Sequence, residues 1–105
     1  MDEKSIKTLS YIVTLTNAIE KIEENCFTNF SKTNEYNDRV DILDKSVGNL
    51  EGIKIYIETL KEFNVMDEET INSLFGRLSS ALSKVGKYYG FVHPSETSKT
   101  TKKKT

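Results

Sequence analysis

The sequence predicts an all-α fold: an up-down antiparallel bundle of three long helices that associates with further copies of itself. Three observations predict it. Apolar residues recur at helical spacing over three segments, about 6–30, 40–63 and 71–89. Short polar breaks separate those segments, which makes neighbouring helices antiparallel. The apolar arcs of the first two segments are wider than a single core contact requires.

The first helix opens at Asp2, a capping residue, with Met1 and Ile6 spaced as a hydrophobic staple. Ile6, Leu9, Ile12, Val13, Leu15 and Ile19 begin its apolar series, and Ile22, Cys26, Phe27 and Phe30 continue it. With Tyr11 and Ala18 these positions cover about two-thirds of a helical wheel, drawn at ~100° per residue.

Ser31-Lys32-Thr33-Asn34 breaks the period. Asn34 is placed to cap the second helix, which runs from about Glu35 to Phe63, and Glu35 and Asp38 suit the positive end of its dipole. The apolar arc of this helix includes Val40, Leu43, Leu50, Ile53, Ile57 and Leu60, and its opposite edge is an acidic stripe of Asp41, Asp44, Glu51, Glu58 and Glu62. Gly48 and Gly52 lie beside that stripe. Each costs a helix about 0.8–1 kcal/mol relative to alanine. Either a neighbour approaches the backbone there, or the helix is locally weak.

Asn64-Val65-Met66 forms a short turn, Asp67 caps the third helix, and Met66 with Ile71 can form a second staple. The third apolar stripe is narrow: Ile71, Leu74, Phe75, Leu78, Leu82, Val85 and Tyr89. Gly90 reads as a glycine stop with Phe91 folding back toward Val85. The domain is therefore expected over 1–93. Residues 95–105 contain no apolar residue, and 94–105 is expected to be a disordered basic tail.

The chain's 105 residues suit one domain. A body this small is marginal unless assembly adds buried surface. The N-terminus lacks the apolar segment of a secretory signal, and a single cysteine, Cys26, cannot form an internal disulfide; a cytoplasmic location is expected. Net charge is −1, unevenly placed: residues 1–93 carry 11 Lys and Arg against 15 Asp and Glu, a net −4, whereas 94–105 carry four Lys against Glu96, a net +3.

Constellations for catalysis or metal binding do not assemble. His93 stands beside Pro94 with no nucleophile or orienting partner nearby in sequence. Cys26 sits among Glu23, Glu24 and Asn25, a setting that disfavours a thiolate. Carboxylate pairs such as Glu23-Glu24 and Glu68-Glu69 belong to solvated faces or helix starts, and no Glu-x-x-His metal pattern occurs. Gly76-Arg77 and Gly86-Lys87 lack the context of a phosphate-binding loop. The chain is expected to be non-enzymatic and to need no cofactor.

Two surfaces are candidates for binding. The surplus apolar arc nominates Tyr11, Leu15, Ile22, Ile53, Tyr56, Leu60 and Phe63 as an oligomer interface; the alternative is that Tyr11, Tyr56 and Phe63 are tolerated surface aromatics. Arg77, Lys84 and Lys87 share a flank of the third helix, and Lys99, Lys102, Lys103 and Lys104 extend it. Such a set can neutralise phosphates without reading sequence. From spacing alone, a solubilising face with a lysine-rich end is the simpler account.

A resemblance adds to this reading. Ile42-Leu43, Val47-Gly48-Asn49-Leu50-Glu51 and Leu60-Lys61-Glu62-Phe63 are followed by Met66-Asp67-Glu68-Glu69 and the Leu74, Leu78, Leu82, Val85 ladder ending in Lys87-Tyr88-Tyr89. Over roughly 40–90 this resembles the four-helix-bundle family of ribosomal-RNA intervening-sequence proteins and the accessory variability determinants of diversity-generating retroelements. The motifs are structural. Family members generally begin with a further helix before the one that residues 5–30 resemble, and on this reading that helix is missing here. The resemblance implies an oligomeric, non-enzymatic accessory protein. The determinants form pentameric barrels and associate with a reverse transcriptase and with RNA or DNA. A protein-interaction module without nucleic-acid binding, working through the acidic stripe, is the alternative.

Overall fold

The computed structural model describes residues 2–92. Three α-helices account for most of them: α1 Glu3–Ser31, α2 Tyr36–Glu62 and α3 Glu68–Tyr88, followed by a 3-10 turn over Tyr89–Phe91. No strand occurs among the described residues. Each helix packs on the other two. Their directions follow from which residues meet. Glu23 of α1 pairs with Arg77 of α3, and a cleft lined by Lys4 of α1 also touches Asp67 at the start of α3. So α1 and α3 run the same way, and α2 returns between them.

The helix starts follow the predicted chemistry in two cases of three. Asp2 Oδ1 accepts from the Ser5 amide at 2.8 Å, and Asp67 Oδ1 accepts from the Thr70 amide at 2.8 Å. Each satisfies an amide that the first helical turn leaves without a partner. Those bonds hold both carboxyls below the usual aspartate range. The start of α2 differs. Glu35, not Asn34, is the capping position, and its side chain makes no capping bond. The turn is held from outside instead. Thr33 Oγ1 accepts from the Glu35 amide at 3.1 Å, and Arg39 Nε donates to the Thr33 carbonyl at 2.7 Å. Met1 of the proposed first staple lies outside the described residues.

The α2–α3 turn contains a feature that composition did not announce. Asn64 has φ 56°, in the left-handed region. Its amide donates to Lys61 O, and the Val65 amide donates to Leu60 O, both at 3.1 Å. This is the paired-bond helix terminator, with Asn64 taking the place glycine usually fills. Leu60 is buried and Val65 packs against the same core, the apolar contact that accompanies the motif. At the other end of α3 the expectation was wrong. Gly90 is not left-handed, and Phe91 is 60% exposed rather than folded onto Val85. Val92 packs against the core in its place.

The core runs the length of the bundle: Ile19 and Cys26 from α1, Leu43, Leu50 and Ile57 from α2, and Ile71, Leu78, Ala81 and Val85 from α3, all 2% exposed or less. On α3, Ala81 is central while Phe75 and Leu82 are half-buried, so the helix is rotated slightly from the face the larger side chains would choose. Ser46 is the buried polar residue, and its hydroxyl donates to the Ile42 carbonyl one turn back at 2.8 Å.

Candidate interaction surfaces

The predicted oligomer residues divide into three groups. Leu15 and Leu60 are buried in the single chain, at 3% and 5% exposure, and offer a neighbour nothing. Their nomination is corrected: they belong to the protomer's own core. Tyr11, Ile22 and Ile53 are half-buried at its edge, and Tyr56 and Phe63 are exposed. A wheel gives the width of an apolar arc but not which part of it turns inward, and Leu15 and Leu60 fell on the inward part.

The apolar surface that stays wet on α1 lies elsewhere, at Phe27 near its end, 57% exposed, and in a row near its start. Ile6, Leu9 and Val13 follow at i, i+3 and i+7 and are each about half exposed. Leu9 borders a cleft of about 570 Å³ formed with Lys4, Ser5, Thr8 and Ile12 of α1 and with Asn64, Met66 and Asp67 of the α2–α3 turn. A second cleft, about 370 Å³, continues the groove between Ile12 and Thr16 of α1 and Thr70, Ser73, Leu74 and Arg77 of α3. Ile12 borders both. The α1–α3 side is thus an open groove with an apolar rim.

At the opposite end the helices are closed by aromatic and polar contacts. Phe30 stacks on Tyr88 with centroids 5.2 Å apart, and the Arg39 guanidinium lies 4.3 Å from the Phe30 centroid. Phe27 approaches Tyr88 at 6.4 Å. The Tyr89 hydroxyl donates to Asp44 Oδ1 at 2.6 Å. Burial, and then the neighbouring Asp44 carboxylate, push the Tyr89 phenol up to about 12.

The basic flank is altered by a partner that spacing could not reveal. Arg77 Nη1 and Nη2 donate to Glu23 Oε2 and Oε1 at 2.9 and 3.0 Å, a two-pronged ion pair in which Glu23 is the more buried. The Arg77 hydrogen bonds hold the Glu23 carboxyl below the ordinary glutamate range. Arg77 is therefore committed within the chain, while Lys84 and Lys87 are exposed. Lys99, Lys102, Lys103 and Lys104, with His93, lie outside the described residues. Burial raises the Cys26 thiol, opposed by a hydrogen bond with Ser46. Among the described residues no group of three His, Cys, Asp or Glu converges as a metal site would require, and no helix is long and apolar enough to cross a membrane.

Comparison with protein-family models, curated proteins and solved structures yields no match. The surfaces must be read on their own chemistry. Sequence reasoning counted Ile6, Leu9 and Val13 as ordinary members of the α1 arc. Their shared spacing was visible, but their outward position depends on where the other two helices lie. Gly48 and Gly52 are exposed, with nothing within 4 Å of an added Cβ, so in one copy the locally weak helix is the reading that applies.

Proposed function

We propose that this chain is a non-enzymatic accessory subunit that acts by assembling with other helices. The observation that carries this reading is the wet apolar row of Ile6, Leu9 and Val13 on α1, together with the exposed Ile55, Tyr56 and Phe63 on α2. A side chain of this kind contributes ~1.5–3 kcal/mol when fully buried, so half-exposed residues leave about half of that unrealised. Sedimentation at micromolar concentration tests it: a mass above one chain, rising with concentration, is expected, and a stable monomer throughout removes the reading.

The finer form of the proposal is an assembled subunit that binds RNA or DNA together with a reverse transcriptase. Its support is the sequence resemblance over 40–90 and the exposed Lys84 and Lys87, repeated in each copy of an oligomer. Arg77 contributes least, because Glu23 already takes both prongs of its guanidinium. Replacing Lys84 and Lys87 with Glu is expected to weaken nucleic-acid binding and flatten its salt dependence. Unchanged binding discards the surface. A second reading, a protein-interaction module facing a basic partner, is favoured by the exposed Asp41, Glu51, Glu58 and Glu62 of α2. Absence of nucleic-acid binding at low salt would select it.

A further inference from the structure

Nucleic acid on Lys84 and Lys87, as proposed above, leaves open what kind of strand is bound and how it lies. On that reading, we infer that the ligand is single-stranded RNA or DNA, its phosphates along the outward line of α3 and one of its bases stacked on Phe91.

The outward face of α3 differs in charge from those of its neighbours. From Thr70 to Val92 the chain has no carboxylate, whereas α1 exposes Glu20 and Glu24 and α2 exposes Asp41, Glu51, Glu58 and Glu62. Ser73, Ser80, Lys84, Lys87 and Phe91 are all exposed and follow one another at helical spacing, so they form one line whose last step runs into the 3-10 turn. Neither lysine forms an ion pair among the described residues. Glu23 of α1, which also feels the Lys84 charge, spends both carboxylate oxygens on Arg77. Ammonium and hydroxyl donors on a face without carboxylates suit phosphate oxygens, which fix a strand without reading its sequence.

Phe91 decides the kind of strand. Its ring is 60% exposed at the end of that line, and the neighbouring stack of Phe30 on Tyr88 is complete without it. A free ring beside cations takes the face of an unpaired base, a contact that any base can make. In a duplex the base faces are already stacked on one another, and side chains reach only edges and backbone. Lys87 stands one helical turn before Phe91, about 5–6 Å along the axis, a separation that one nucleotide bridges from phosphate to base. Phe27, 57% exposed and 6.4 Å from Tyr88, offers a second ring on the α1 side.

Fluorescence tests this directly, because the chain has no tryptophan and Phe91→Trp introduces a single reporter. At low salt its emission is expected to be quenched by oligo(dT) of about 12 nucleotides and to change little with a hairpin duplex of equal charge. Tyr56→Trp, at an exposed position on α2, is expected to show no quenching. Phe91→Ala is expected to keep its helical content and to weaken oligo(dT) binding roughly tenfold by anisotropy. Quenching of Tyr56→Trp in place of Phe91→Trp, a hairpin bound as tightly as the single strand, or Phe91→Ala binding like wild type overturns this inference. The nucleic-acid reading survives any of those results as long as replacing Lys84 and Lys87 with Glu still weakens binding. A wild-type chain that binds poly-glutamate and not oligo(dT), or binds neither, overturns both.

Discussion

The two ends of the bundle are made from the same three helices and finished differently. Where α1 turns into α2 and α3 ends, Phe30, Tyr88 and Arg39 form a layered stack, and Tyr89 is tied to Asp44. Where α1 begins and α2 turns into α3, the side chains around the groove are Leu9, Ile12 and Met66 with small polar neighbours, and Ile6, Val13 and Phe63 face water. The helix starts and the turn at this open end are well formed, with both Asp caps and the Asn64 terminator in place. What is open there is the side-chain layer, not the backbone. A small domain has limited apolar surface to bury; here one end carries a bonded aromatic layer with Phe27 and Phe91 exposed at its edge, and the other has no such layer.

The largest expected effect tests that contrast directly. Phe30→Ala removes a buried ring that touches Tyr88 and Arg39, and a loss of about 3–5 kcal/mol is expected from the shift of the urea midpoint. Leu9→Ala, measured at a dilution where the chain is monomeric, should cost no more than about 1 kcal/mol, because much of Leu9 is already in water. Equal losses at the two sites would end the distinction between a closed and an open end.

How much of this was legible in the residues depends on what kind of information each feature needs. The three helices, the Asp2 and Asp67 starts and the turn after Phe63 were readable because they depend on neighbours within a few positions. Leu15 and Ile6 illustrate the limit. Both belong to one apolar arc on α1, yet Leu15 is buried and Ile6 is 55% exposed, and only the placement of the other two helices separates them. The Arg77–Glu23 pair spans 54 residues, so the basic flank was read without the carboxylate that occupies one of its three cations. Asn64 could have been anticipated: Asn is the commonest substitute for glycine in the left-handed position after a helix. No local signal distinguished Asn34 from Glu35 as the cap, since the tie is made by Arg39 from inside α2.

The next effect down concerns the tie between α1 and α3 that borders the groove. Arg77→Ala leaves Glu23, the more enclosed partner, without its two bonds, and a cost of about 1–3 kcal/mol is expected. Its pH signature has a definite sign. The folded Glu23 pKa lies below its ordinary value of 4.5, so the pair's contribution is fully present above that pH and fades as pH falls through the depressed value. Arg77→Ala should therefore shrink the difference in stability between neutral and strongly acidic solution. An acid limb as steep as that of wild type would mean that Glu23 is not held by Arg77.

Gly48→Ala sharpens the contrast from the outside of α2. An added Cβ meets nothing within 4 Å, so helix propensity alone should act, with a gain of about 0.8–1 kcal/mol in the monomer. Gly48 shares a face of α2 with Ile55 and Tyr56, at i+7 and i+8, so self-association unaffected by this substitution would place the contact on the α1 row. A variant that folds more stably and associates less would move the interface to the glycine face of α2.

The smallest effect concerns the Tyr89–Asp44 tie, which is partly exposed and adds little to stability. Its expected readout is spectroscopic. The folded phenol titrates at about 12, above the ordinary 10, so the tie is intact below pH 10 and is lost as pH rises through the folded value. In an ultraviolet titration a tyrosinate phase at about pH 12 that is absent from Tyr89→Phe is expected, provided the fold survives. Asp44→Asn removes the carboxylate but keeps the burial that contributes most to the shift, so the late phase should move part of the way back. Wild type without that phase, or a late phase indifferent to Asp44→Asn, would show that the closed end is held by the Phe30–Tyr88–Arg39 stack without this bond.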